Sequence, residues 1–178
     1  LVGTGTDKLW ITSVAPSSID GANTRACTNL TRQTALAGSG AIDKWFPVGQ
    51  CHTDQEYRGG SGRAANITGN YFRDWVITMG KYDIRLANDH SEGDRSTGNI
   101  LSMIEAIRQQ YPNSAQHWAM DHCFLVDPKD FARIGKYGVM FTCSPGYINS
   151  GAATAASYGD KVANTYIAPV KSMMDAGS

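Results

Sequence analysis

The sequence predicts an α/β fold built on a parallel sheet, and three observations carry that prediction. From residue 84 onward, apolar runs that read as strands alternate strictly with helical ones. Two of these runs, 84–88 and 118–124, flank one helix, and each leads to a histidine, His90 or His122. The chain has 178 residues, enough for one domain with its own core. Strict alternation gives a parallel sheet with right-handed crossovers. Sheets of this kind place their chemistry at the carboxyl edge of the strands.

Residues 9–14, Leu-Trp-Ile-Thr-Ser-Val, form a β-branched and aromatic run closed by Ala15-Pro16, and the run is read as the first strand. Residues 22–69 show no sustained period. They are read as an elaborated insertion over one end of the sheet, with short elements at most near 31–36 and 42–46, because a structureless loop of that length is improbable in a compact domain. Helical character runs from 63 to 79, where Tyr71, Phe72, Trp75, Val76 and Met79 recur at three- and four-residue steps. Gly80 is placed as the C-cap of that helix. Residues 84–88 are a strand. Residues 97–110 are a helix with Ile100, Met103, Ile104 and Ile107 on one face, stopped by Pro112. Residues 118–124 are a strand. Asp127-Pro128 supplies an N-cap and a first-turn proline for a short helix that ends near Gly138. A further strand spans 139–143, followed by an Ala/Ser/Gly loop. Residues 158–176 are mostly helical and are interrupted at Pro169.

Composition narrows the function. Lys plus Arg number 16 and Asp plus Glu 16, a balance that offers no field for capturing nucleic acid or an anionic membrane. No apolar run approaches the roughly 18–20 residues that span a bilayer, and the opening residues do not read as a signal peptide. The four cysteines form no C-x-x-C motif, which argues against a zinc ribbon or a thioredoxin site. Cys123 and Cys143 end apolar runs and are read as buried thiols at strand tips. Cys27 and Cys51 lie in a polar, Gly-rich region and would pair in an oxidising compartment. Asn29-Leu-Thr31 and Asn66-Ile-Thr68 fit the N-glycosylation pattern. Cytoplasm and secretion both stay open.

The chemistry centres on His90 and His122. By strand alternation Leu86, Asn88 and His90 share one face, as do Trp118, Met120 and His122. Two imidazoles at neighbouring strand tips suit zinc, with a carboxylate or carbonyl holding each ring. Asp89, Asp94 and Asp121 lie within reach to orient or protonate. The bland alternative is two satisfied polar residues at strand ends, and two ligands alone do not make a catalytic zinc site, which takes three plus a water. Asp94 reads as a helix cap or a site residue, and Arg95 as a contact for a substrate carboxylate. No nucleophile elbow, Walker loop or dinucleotide fingerprint occurs.

Asn88-Asp-His90-Ser-Glu-Gly93-Asp94-Arg95 resembles the H-x-x-G-D-R segment that follows barrel strand five in the amidohydrolase superfamily, nearest its amidohydrolase-3, YtcJ-like group. Met120-Asp-His122 resembles the end of strand six there, and 127–145 the next helix and the seventh strand. The resemblance covers about the whole chain. It implies a partial (β/α) TIM barrel of the metal-dependent hydrolase type, spanning strands four to seven in one domain, 1–178. It also implies one or two divalent ions, usually zinc, with His90 and His122 as ligands. Lys8 stands loosely where a carboxylated strand-four lysine would fall. Asp94 would be a catalytic residue and Arg95 a substrate contact.

The family's strand-one H-x-H pair is not found in the sequence, nor is its strand-eight Asp. The expected activity is therefore hydrolysis of non-peptide C–N bonds, in a small-molecule amide or cyclic amide, by a chain with little activity alone. Missing barrel segments or other chains would complete the fold, and a homo-oligomer is one way to do so, since half a barrel exposes two sheet edges. The rival reading is a non-catalytic structural or assembly protein derived from the barrel. A ligand-binding module built on Trp10, Trp45, Trp75 and Trp118 is a third, against which core packing is the commoner role of tryptophan.

Overall fold

The computed structural model describes residues 2–15, 19–20, 26–31, 51 and 67–178. The short elements expected near 31–36 and 42–46, the onset of the first helix at Arg63, and Trp45 fall outside the described residues, Thr31 apart.

The chain opens with a small antiparallel hairpin, β1 (Thr4–Gly5) and β2 (Trp10–Ile11), with Thr4 opposite Ile11. The Thr6 hydroxyl accepts the backbone N–H groups of Lys8 and Leu9 and forms the turn between them. The first strand is therefore shorter than 9–14. Leu9, Trp10 and Ile11 face solvent in the hairpin, and only Val14 joins the parallel ladder. Val14 N–H donates to the Arg85 carbonyl at 2.9 Å, and Ala87 N–H donates back to Val14 at 3.0 Å.

Helix α1 (Tyr71–Lys81) starts later than expected, after the non-helical residues 67–70, and is capped by Asn70, whose side chain accepts the Arg73 N–H. Gly80 is not its C-cap. It lies buried inside the last turn, where the missing Cβ makes room for Ile107, and Tyr82 takes the cap position. The main sheet follows: β3 (Asp89–Ser91), β4 (Ala119–His122) and β5 (Met140–Cys143), parallel in the order β3-β4-β5. The strand expected over 84–88 is broken by Asn88, whose φ is +57°. Leu86 bridges to Val14 and accepts the Ala119 N–H, and regular pairing resumes at Asp89.

Helix α2 (Asp94–Gln110) begins three residues earlier than its apolar period indicates, with Gly93 at the N-cap. A Pro128–Asp130 turn capped by Asp127 leads into α3 (Phe131–Tyr137), which stops at Gly138 in the left-handed region, φ +60°. Beyond β5, the Ala/Ser/Gly stretch expected to be a loop forms a helix, α4 (Gly151–Tyr158), and the helical region expected over 158–176 forms as α5 (Asp160–Thr165) and α6 (Val170–Asp175), interrupted at Pro169 as expected. The alanines of 152–156 are strong helix formers, and Gly159 at φ +90° then breaks the run.

One apolar core joins α1 and α2 to the sheet. Phe72 and Val76 meet Ile100, Leu101, Ile104 and Ile107 above Trp118 and Met120. Phe124, Leu125, Tyr158 and Val162 form a smaller core under α4 and α5. Trp75 packs against the main core and Trp118 is buried in it, whereas Trp10 is exposed. No described helix is long and apolar enough to cross a membrane.

All four cysteines are bonded. Cys27 joins Cys51, the pairing left open above, and Cys123 joins Cys143. The reading of the latter two as free thiols is corrected by strand register. Cys143 lies opposite His122 in the β4-β5 ladder, one residue from Cys123, which brings the two Cα atoms to 5.1 Å.

Candidate metal centre

The parallel ladder pairs His90 with Asp121, Ser91 with His122, and Asp121 with Thr142. Paired residues share a face, so His90, Asp121 and Thr142 point the same way and regular alternation would send His122 to the other side. The chain leaves regular geometry there: φ is +81° at His122 and +44° at Cys123. That twist returns the His122 ring to His90, with centroids 4.4 Å apart and planes at 85°. The expected pairing of the two histidines is met, but by a backbone distortion and not by the shared face of Trp118, Met120 and His122. Met120 is buried, while both histidines are partly exposed.

Asp121 completes the group. Its Oδ2 lies 3.9 Å from His90 Nε2 and 3.8 Å from His122 Nε2. Its Oδ1 accepts the His122 backbone N–H at 3.0 Å and the Thr142 hydroxyl. One ligand atom from each of the three residues lies within 4.8 Å of the others. His122 Nε2 is buried and has no hydrogen-bond partner among the described residues. Two imidazole nitrogens and a carboxylate oxygen are a donor set zinc accepts. Ligand atoms about 2.0–2.2 Å from a tetrahedral ion stand roughly 3.4 Å apart, so the two carboxylate–imidazole spacings would close by about half an ångström, within a group whose ligand atoms all lie inside 4.8 Å. The residues present fit such an ion.

Behind His122 stands Tyr147, in the Pro145–Ser150 turn after β5. Its hydroxyl donates to Glu92 Oε1 at 3.1 Å and lies 3.3 Å from His122 Nδ1, while its ring stacks on Phe124 at 4.5 Å. Burial, then the negative charge of Glu92, push the Tyr147 hydroxyl above the ordinary tyrosine range. The loop at the start of α2 is fixed by Asp20. Its carboxylate accepts the N–H groups of Cys27, Glu92 and Gly93 at 2.8–2.9 Å. Burial outweighs these bonds and pushes its pKa up to about 7. Neither Tyr147 nor Asp20 was singled out from the sequence. Their partners lie 55 and 72 residues away in the chain, and no local pattern signals them.

The other expected site residues are dispersed. Asp94 is in the first turn of α2 but does not cap it: its carboxylate accepts the Thr28 hydroxyl and the Asn29 N–H, and burial raises its pKa. Arg95 follows it, half-buried. Asp89 adjoins His90, but successive strand residues face opposite ways. Its buried carboxyl has no hydrogen-bond partner among the described residues, and burial followed by the Asp20 charge raises its pKa well above the usual range. Lys8 is corrected in position. It lies exposed in the turn of the β1-β2 hairpin, on a different sheet from the two histidines.

No family model matches the sequence, and neither does any curated protein. Solved structures do match the fold. One is the crystal structure of an uncharacterized metal-dependent hydrolase from Pyrococcus furiosus: the TM-score is 0.62 and the identity 17%, over 99% of this chain and 31% of that one. The corresponding protein of Pyrococcus horikoshii OT3 gives 0.62 and 16%, over 99% and 30%. The fold is thus one found in metal-dependent hydrolases, and the chain spans about a third of the length of either neighbour.

Proposed function

We propose that this chain is part of a metal-dependent hydrolase of the amidohydrolase kind, a section of a (β/α) barrel acting on a non-peptide C–N bond in a small amide or cyclic amide. The observation that carries the reading is the buried Nε2 of His122, without a hydrogen bond among the described residues and turned by a left-handed backbone toward Asp121 Oδ2 and the His90 ring. A polar atom left unmatched in this way costs roughly 1–3 kcal/mol, and a ligand would remove that cost.

His90, Asp121 and His122 would hold a divalent ion, zinc by donor type. When bound, such an ion lowers the pKa of a water and polarises a carbonyl. The chain's own residues position it: Thr142 holds one oxygen of Asp121 so that the other faces both rings. Asp94 and Arg95 open the helix that follows β3, at the same carboxyl edge, and are the candidates for proton handling and substrate contact. Because no His-x-His pair occurs in the sequence, this chain alone is expected to turn over little or no amide.

Elemental analysis of the purified chain tests the reading. About one zinc per chain, lost in His122→Ala, is the expected result. Absence of metal, together with concentration-dependent oligomerisation, would favour the assembly protein instead, with the exposed Leu9-Trp10-Ile11 hairpin as its contact surface.

A further inference from the structure

We infer that Tyr147, held by Glu92, is a positioning residue that fixes His122 as the Nδ1–H tautomer and so leaves Nε2 as a lone-pair donor facing Asp121. The inference rests on His122 being a metal ligand, and its physical basis is proton counting. The Tyr147 hydroxyl carries one hydrogen. As a carboxylate, Glu92 can only accept, and the hydroxyl donates to its Oε1 at 3.1 Å. Toward His122 the same oxygen can then offer only a lone pair, and Nδ1 lies 3.3 Å from it. Nδ1 must therefore carry the ring hydrogen. In a neutral imidazole the other nitrogen is then the acceptor, and that nitrogen is the buried atom without a hydrogen bond among the described residues.

Each member of this relay is fixed by packing. Glu92 is 4% exposed, and its backbone N–H is tied to Asp20. The Tyr147 ring stacks on Phe124, which is 1% exposed. The relay also explains how the ring keeps its direction at a strand end where the backbone has left regular strand geometry. Three chain regions are linked through Tyr147 to one imidazole: the loop after β3, the tip of β4 and the turn after β5.

The test uses the intact chain, with zinc as the probe. Tyr147→Phe keeps the ring and its stack on Phe124 but removes the hydroxyl. Removal of a partner that orients a ligand typically weakens metal affinity about 10- to 100-fold, and calorimetric zinc titration should show a loss of that order. Glu92→Gln, which keeps an acceptor oxygen, should retain most of the affinity, and Glu92→Ala should approach Tyr147→Phe. Nitrogen-15 NMR of the metal-free protein should show His122 protonated at Nδ1, with mixed tautomers in Tyr147→Phe.

Unchanged zinc affinity in Tyr147→Phe, or a wild-type His122 protonated at Nε2, would overturn the inference. If the wild type takes up no zinc, the reading of the site as a metal centre fails, and the tautomer measurement still decides the relay by itself.

Discussion

The His90 and His122 rings meet edge to face at 4.4 Å although the ladder sets them one register step apart, His90 opposite Asp121 and His122 opposite Ser91. The left-handed backbone at His122 and Cys123 closes that step. The site is therefore only as rigid as the contacts that hold the tip of β4, and several of those come from β5.

Thr142 is one of them. Its hydroxyl donates to Asp121 Oδ1, and Oδ2 is thereby directed at both imidazole nitrogens. Thr142 is exposed, so Thr142→Ala should change global stability by no more than about 0.5 kcal/mol. Zinc affinity should nonetheless fall by about tenfold or more, because the carboxylate would be free to rotate away. Paired urea and zinc titrations separate the two effects. Equal affinity in wild type and variant would show that Asp121 needs no such support.

Much of this site can be read from the sequence, and the unread part has a physical cause. His90 and His122 stand out because apolar runs lead into them, and burial imposes those runs on strands. Helix α2 is legible from Ile100, Met103, Ile104 and Ile107, all buried. The φ of +81° at His122 is not legible, because a non-glycine residue enters that region only when tertiary contacts hold it there. Strand alternation consequently gives the wrong reason for the right pair. Asp20 and Tyr147 escape for a similar reason: an acceptor of backbone N–H groups 7 to 73 residues away carries no periodic signature.

The Cys123–Cys143 bond also holds the tip of β4. It closes a separation of 20 residues, for which chain entropy gives about 3 kcal/mol of stabilisation. The double variant C123S/C143S should lose about that much in urea unfolding. It should also bind zinc more weakly than wild type, since Cys143 is the ladder partner of His122. Disulfides of this kind persist in oxidising compartments, so expression yield should be higher where the bond can form. Full stability in the double variant would count against a structural role for the bridge.

Buried carboxyl groups set an unusual pH dependence. Asp20 has its pKa pushed up to about 7, against about 3.9 when exposed. Between roughly pH 4 and 7 the unfolded chain has released this proton while the folded chain retains it. The folded state then binds more protons, and stability falls as pH rises, by at most about 4 kcal/mol over three units. Asp89 and Asp94, also raised by burial, act with the same sign. Glu105, lowered by its hydrogen bond to Arg133, acts oppositely, but it is partly exposed and contributes less. The urea midpoint should therefore be higher at pH 5 than at pH 7.5. Asp20→Ala should flatten that slope and cost about 3 kcal/mol or more at pH 5, because it leaves three buried N–H groups without an acceptor. A wild-type midpoint that rises from pH 5 to 7.5 would contradict this account.

Gly80 sets two opposing effects against each other. Within a helix, Gly→Ala normally stabilises by roughly 0.5–1 kcal/mol. At this position a Cβ would stand 2.6 Å from Ile107 Cδ1 and 2.7 Å from its Cγ1 and Cγ2. Ile107 is fully buried on α2, where neighbouring core residues hold it in place. Overpacking of this kind costs about 1–3 kcal/mol, so the clash should win and Gly80→Ala should be destabilising by about 1 kcal/mol. Ile107→Val removes Cδ1, and by itself should cost about 1 kcal/mol as a small cavity. Combined with Gly80→Ala it should cost less than the sum of the two, since the new methyl enters the space that Cδ1 leaves. A double-mutant cycle in urea reads this coupling directly. Strict additivity would mean that α1 and α2 separate to accept the methyl, and that their contact is looser than the glycine implies.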